Sequence, residues 1–220
     1  MIMSTPRPDV TEMNAIHAVF RQTFASTPRL VASVADGDRD RAELVGSVIA
    51  DVVEVLRLHH LGEDELLMPK LRERSGQPDV VDRVAGQHTD IHDPLDEART
   101  AVTRWRESAA ATDGAAVVAA VARLEAAAVP HLDEEESTLM PLAAEVLTVE
   151  EWGELPGHTM SRFEGDLFLV MGMVRDNMTQ EQRDRMLEEL PPPAAEAWRT
   201  VGIGAYADKV SRLMGPVSGA

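Results

Sequence analysis

Residues 59–69 read HHLGEDELLMP and residues 131–141 read HLDEEESTLMP. Laid over each other, the two lines share His59/His131, Glu63/Glu135, Leu67/Leu139, Met68/Met140 and Pro69/Pro141. Each places a glutamate four residues after a histidine, and on a helix residues four apart stack one turn away on the same face. His88 and His92 repeat the spacing between the two lines, and His17 stands near the start. A fold for this chain must therefore bring these groups together or leave each of them in solvent, and the positions of the turns decide which.

Apolar residues recur at helical spacing almost throughout, and no stretch alternates as a half-buried strand does. The pattern predicts helices over about 9–34, 41–74, 79–110 and 114–146, joined by the turn-forming stretches ADGDRD, RSGQPD and ATDG. If His17 and His59 stand at one height in a hairpin, the turn falls at their midpoint, residue 38, inside ADGDRD. Pairs centred at 61 and 90 place the next turn at 75.5, inside RSGQPD, and pairs centred at 90 and 133 place the third at 111.5, inside ATDG. The fold class that follows is all-α, an up-down-up-down four-helix bundle, and such bundles build metal sites from inward groups at one level. Asp36, Asp38 and Asp40 do not make a calcium loop, because Arg41 stands where an EF-hand needs glycine and Ser47 where it needs glutamate.

Two units are expected, the bundle over 1–147 and a C-terminal helical extension over 148–220. Thr148–Glu151 and Thr179–Gln182 have the form of capping boxes. A Met- and Phe-rich segment spans about 158–178, and Pro191, Pro192 and Pro193 precede a last helix near 194–213. These pieces are too short to bury much alone, so they should pack on the bundle. His158 reads as a helix-start histidine, unless the extension folds over the bundle end and brings His158 or Glu164 to the site. Pro94 and Pro130, each near a histidine, predict local kinks.

The 220 residues carry no cysteine, which excludes disulfides, thiolate metal sites and cysteine nucleophiles. A net charge of −17 disfavours nucleic acid and anionic lipid. With no leader pattern and no run approaching the ~20 apolar residues of a membrane span, a cytoplasmic location away from the membrane is expected.

Seven groups, His17, His59, Glu63, His88, His92, His131 and Glu135, exceed the needs of one ion. They suit two octahedral ions with Glu63 and Glu135 as bridges, and this imidazole-rich donor set suits iron, or manganese, better than magnesium, calcium or zinc. His60 follows His59 by one residue, about 100° round the helix, and reads as a surface or outer partner. Asp64, Glu65, Glu134 and Glu136 read as a solvated face from which some side chains support ligand imidazoles.

The order His17, His59-xxx-Glu63, His88-xxx-His92, His131-xxx-Glu135 resembles the haemerythrin-like, or HHE cation-binding, family over roughly residues 10–146. The resemblance implies a di-iron centre with an oxo or hydroxo bridge. His88, His92 and His131 would complete one iron, and His17 and His59 would leave the other open. The extension resembles one found in some actinobacterial-type members. Animal oxygen carriers place an aspartate five residues after the last histidine; here Glu135 lies four after it and Glu136 five. The function expected is binding or processing of dioxygen, peroxide or nitric oxide, with catalase-like peroxide removal favoured if the protein is an enzyme. Iron storage or delivery, and oxidation of an organic substrate, are the alternatives.

Overall fold

Three tight connectors set the topology of the computed structural model, which describes residues 6–215; the outermost ends of the two expected units lie outside that range. Gly37, with φ of 80°, turns the chain after α1 (Met13–Ala32), and Asp38 caps α2 (Arg39–Gly62) by accepting from Arg41 N. Gly76 turns it again between α3 (Met68–Arg74) and α4 (Pro78–Ser108), where Pro78 starts the helix. The third turn is Ala109, the only non-glycine among the described residues with positive φ (52°), leading into α5 (Ala111–Glu134) and α6 (Met140–Val146). Its carbonyl accepts from Gly37 N at 2.9 Å, and Asp36 accepts from Ala111 N at 2.7 Å. First and third connectors are thus tied together at one end, as an up-down-up-down bundle requires.

Around the bundle, α1 packs on α2 and α5, and α4 packs on α2 and α5. The buried face of α4 runs Val81, Val84, His88, Ile91, Leu95, Ala98, Val102, Trp105, alternating steps of three and four. That period of 3.5 is the left-handed bundle seam. Inside, the apolar residues form two clusters. One contains Phe20, Phe24, Ile49, Leu56, Leu95, Trp105 and Leu124; the other contains Met13, Leu67, Leu71, Val84, Leu139 and Trp152. Between them lies a polar layer.

Two π-helical turns interrupt the rods, Glu63–Leu67 between α2 and α3 and Glu135–Leu139 between α5 and α6. They fall at the same place in the duplicated line, immediately before Met68-Pro69 and Met140-Pro141. A proline clashes with the carbonyl four residues back, and here the helix has already widened: Met68 N–H bonds to Glu63 O and Met140 N–H to Glu135 O, five residues away. By contrast α4 and α5 continue as single helices through Pro94 and Pro130.

The extension comprises α7 (Val149–Arg162), α8 (Leu167–Asp176), α9 (Gln180–Glu189), α10 (Pro192–Ala197) and, after a third π turn at Trp198–Gly202, α11 (Ile203–Met214). Both predicted capping boxes form. The expected 158–178 segment is divided at Phe163–Asp166, where Asp51 accepts from Asp166 N. α7 lies along α2 and the first π turn and reaches α3 through Lys70–Glu154 and Arg74–Glu151, whereas α9 reaches the turn before α1 through Arg185 to Glu12 and Gln182 to Thr11. Ala111–Val146 is one rod long and apolar enough, by length and composition alone, to match a membrane span, contrary to the reading of the sequence. It is alanine-rich, and its stripe Val117, Val121, Leu124, Ala128, Leu132 packs in the bundle core.

Candidate metal centre

A helix in a square bundle has two neighbours at about 90°, and consecutive residues diverge by about 100°. His59 and His60 use this coincidence. His59 turns towards α1, its Nε2 3.1 Å from His17 Nε2. His60 turns towards α4, its ring stacked on His88 with centroids 4.3 Å apart, and it also meets His131 of α5 edge-on at 5.0 Å. Five imidazoles from four helices therefore share one level.

The π turns carry the carboxylates into the same level. Glu63 Oε1 lies 3.2 Å from His59 Nε2, and its Oε2 lies 3.5 Å from His88 Nε2. Glu135 Oε2 lies 3.4 Å from His17 Nε2 and 3.8 Å from His131 Nε2. Each carboxylate thus stands between the two histidine sets. The potential ligand atoms form two groups, His60, Glu63, His88, His131 and His17, His59, Glu63, Glu135, with atoms in each within 4.8 Å of one another.

Behind the layer, the residue after each glutamate holds a histidine on a neighbouring helix. Asp64 Oδ1 lies 2.8 Å from His88 Nδ1, and Glu136 Oε1 lies 2.8 Å from His17 Nδ1 while also accepting from Arg21. His131 Nδ1 faces Gln87 Oε1 at 2.9 Å. An acceptor at Nδ1 leaves the Nε2 lone pair directed into the layer, the arrangement that outer partners impose on ligating histidines.

The layer is short of charge compensation. All four oxygens of Glu63 and Glu135, and Nε2 of His60, His88 and His131, are buried without a hydrogen-bond partner. Burial pushes His59 and His60 well below the ordinary imidazole range and His131 down to about 4, so these rings are neutral. Burial, then the facing Glu135, pushes Glu63 well above the usual carboxylate range. No lysine or arginine among the described residues pairs with either glutamate. Buried carboxylates facing neutral imidazoles are costly alone and well suited to bound cations, so the residues present fit a metal pair.

Of the residues expected at the site, His17, His59, Glu63, His88, His131 and Glu135 meet in this layer. His92 does not: it is exposed, because the α4 stripe steps from His88 to Ile91 to Leu95 and passes it by. His60, expected at the surface, is buried and takes the place expected of His92. The signal for it lay in the duplicated line, where the position matching His60 is Leu132, an apolar residue and fully buried. His158 belongs to neither group; its Nε2 lies 2.7 Å from Glu65 Oε2 on the outer side of the first π turn. Glu164 is exposed and away from both groups. Gln87 had no signature beyond its position next to His88.

Compared with known families, residues 9–143 match the model described as the Hemerythrin HHE cation binding domain. No curated protein and no solved structure gives a significant match.

Proposed function

The chain belongs to the haemerythrin HHE cation-binding family, and from that premise we propose that its polar layer holds two iron ions and meets a small oxidant or diatomic ligand there. The observation that carries this is the set of seven buried, unpartnered ligand atoms on Glu63, Glu135, His60, His88 and His131. His60, His88 and His131 would hold one ion, His17 and His59 the other, with Glu63 and Glu135 shared. Three imidazoles against two leave the second ion as the one with room for a ligand. When bound, such a redox-active pair supplies a coordination position and electrons to dioxygen, peroxide or nitric oxide.

The chain's own residues set the conditions. His17, His88 and His131 are oriented by Glu136, Asp64 and Gln87. The two apolar clusters close the layer above and below, excluding water. The most exposed of the seven residues now in the layer, His59, shows 9% of its surface, which suits a ligand of few atoms. Two surface grooves, lined by Asp38, Arg41 and Arg212 and by Asp96, Arg104 and Arg123, touch none of these side chains, which disfavours an organic substrate.

Metal analysis of purified protein should give about two irons per chain, the number that this donor set serves. Anaerobically reduced protein is then exposed in turn to dioxygen, peroxide and nitric oxide and followed by optical absorption. A stable adduct identifies a carrier or sensor, and repeated peroxide turnover a catalase-like enzyme. A single zinc per chain from iron-replete cells would sink the proposal.

A further inference from the structure

The partners behind the layer histidines differ chemically. Glu136 and Asp64 are carboxylates; when ionised they only accept, so each holds its histidine with the proton on Nδ1. Gln87 is an amide and can present either oxygen or NH2. Turned round, it would donate to His131 Nδ1 and drive the proton to Nε2. Glu135 Oε2, 3.8 Å from that nitrogen, would favour the same wrong form. His131 would then have no lone pair to offer the layer.

A residue outside the layer prevents this. Gln87 Nε2 donates to Glu134 Oε2 at 2.7 Å, and Arg83 donates to Glu134 Oε1 at 2.7 Å. Paired with the Arg83 guanidinium, the Glu134 carboxylate accepts on both oxygens and has no proton to donate. Glu134 therefore takes the NH2 side of Gln87 and leaves the oxygen for His131. Glu134 makes no hydrogen bond to a layer side chain among the described residues. The matching position in the first copy is Gly62, so this arrangement exists only once.

We propose that Gln87 and Glu134 are positioning residues that form a tautomer relay: Glu134, anchored by Arg83, locks the Gln87 amide so that His131 keeps its proton on Nδ1 and its Nε2 free to bind metal. The consequence for metal binding rests on the reading of the layer given above; the tautomer itself does not. The test exchanges the two side chains. Glu134→Gln is nearly isosteric but offers both donor and acceptor, so the Gln87 amide can turn. Glu134→Gln with Gln87→Glu restores a lock, because the carboxylate then standing at position 87 can only accept, from His131 on one side and from the new amide on the other.

In metal-free protein, two-bond proton–nitrogen correlation spectra should show His131 as the single Nδ1–H form. Glu134→Gln should show a mixture, and its anaerobic Fe2+ affinity, measured by competition with a chelator, should fall about 10-fold, the lower end for loss of such support. The double exchange should restore both the single form and near-original affinity, a recovery that a merely structural role would not give. The relay is overturned if Glu134→Gln leaves the His131 spectrum unchanged, or if the double exchange restores neither readout. If the unaltered protein shows the single form yet holds no iron, the relay stands and the iron reading fails.

Discussion

Residues 59–69 and 131–141 pass through the same backbone states: the end of a long helix, a π turn opening on glutamate, then Met-Pro starting a short helix. Their surroundings differ. The residue after the first histidine is His60, stacked on His88, and its counterpart is Leu132 in the apolar core. Gly62 lies under α7, with a Cβ there 3.2 Å from His158 Nδ1, and its counterpart Glu134 faces Arg83 and Gln87. Glu65 is held by His158 and Arg162, whereas its counterpart Ser137 bonds back to Glu134 O in its own helix. Unchanged are the glutamate in the layer and the acid after it, which reaches across to α4 in one copy and α1 in the other. The backbone of the repeat fixes where the carboxylates go, and single substitutions around it make the two sides of the layer unequal.

The largest expected effect comes from what the copies share. Glu63→Gln or Glu135→Gln should each strip both ions, because each carboxylate lies between the two histidine sets. Glu136→Gln should be far milder, since an amide oxygen can still accept from His17. The same Glu63→Gln should not destabilise the metal-free protein at pH 8. The raised Glu63 carboxyl means that folded-state stability is lost as pH rises through its folded value, and the amide removes that loss. Metal analysis and thermal melts of the stripped variant check both halves. Loss of one ion only would show that the glutamate serves one side.

Next comes the position at which the copies differ inside the layer. His60→Ala should lower iron towards one per chain, whereas His92→Ala should leave content and absorption unchanged. Leu132→Ala, at the matching place, should cost about 2–5 kcal/mol of stability as a buried leucine with no change in metal stoichiometry. The reverse ranking of His60 and His92 would return the site to the reading of the sequence.

That reading was right about the bundle, six of the seven residues it named meet in the layer, and the one exchange has a physical cause. His88 and His92 are four apart and share a face loosely, but the α4 seam has a period of 3.5, and its buried positions go to 88, 91 and 95. Replacing the pair centre by His88 alone moves the third midpoint from 111.5 to 110.5, to the edge of the observed connector between Ser108 and Ala111. The original value falls inside the first turn of α5. Spacing alone also favoured one inward residue per turn, whereas a corner helix has two neighbours and can turn both His59 and His60 inward. The π turns, the amide of Gln87 and the contact of His158 with Glu65 depend on backbone detail and on an extension whose placement leaves no periodic trace.

A smaller effect follows from the neutral imidazoles. In the metal-free protein His131 titrates near 4 when folded and near 6.5 when unfolded. As pH falls from about 6.5 to about 4, the unfolded chain takes up a proton that the folded one refuses. The His131 share of the stability should therefore fall through that window, by on the order of 3 kcal/mol at about 1.4 kcal/mol per pH unit, and level off below it, while the depressed His59 and His60 add to the slope. Urea melts at a series of pH values measure the slope. His131→Gln should remove its share of the slope, and an unchanged slope would place the acid sensitivity elsewhere.

The smallest effect tests the cover over the first copy. Glycine in a helix costs about 1 kcal/mol relative to alanine, so replacing it should help wherever a methyl group fits. At Gly86, on the exposed face of α4, nothing lies within 4 Å of the added carbon, and Gly86→Ala should raise stability by about 0.5–1 kcal/mol. At Gly62 the added methyl would meet His158 Nδ1 at 3.2 Å and Leu155 Cδ2 at 3.8 Å. His158 is held on its other side by Glu65 at 2.7 Å, so it has little room to retreat. Displacing it would also disturb Arg162, which reaches the same carboxylate. Gly62→Ala should consequently gain nothing, or lose about 1 kcal/mol, although its intrinsic helix preference is the same as that of Gly86→Ala. Combining Gly62→Ala with His158→Ala should recover the missing gain, because the obstruction is then gone. Paired thermal melts of the three variants decide it. If Gly62→Ala alone stabilises as much as Gly86→Ala, then α7 does not press on the first π turn, and the difference in cover between the two copies has no energetic weight.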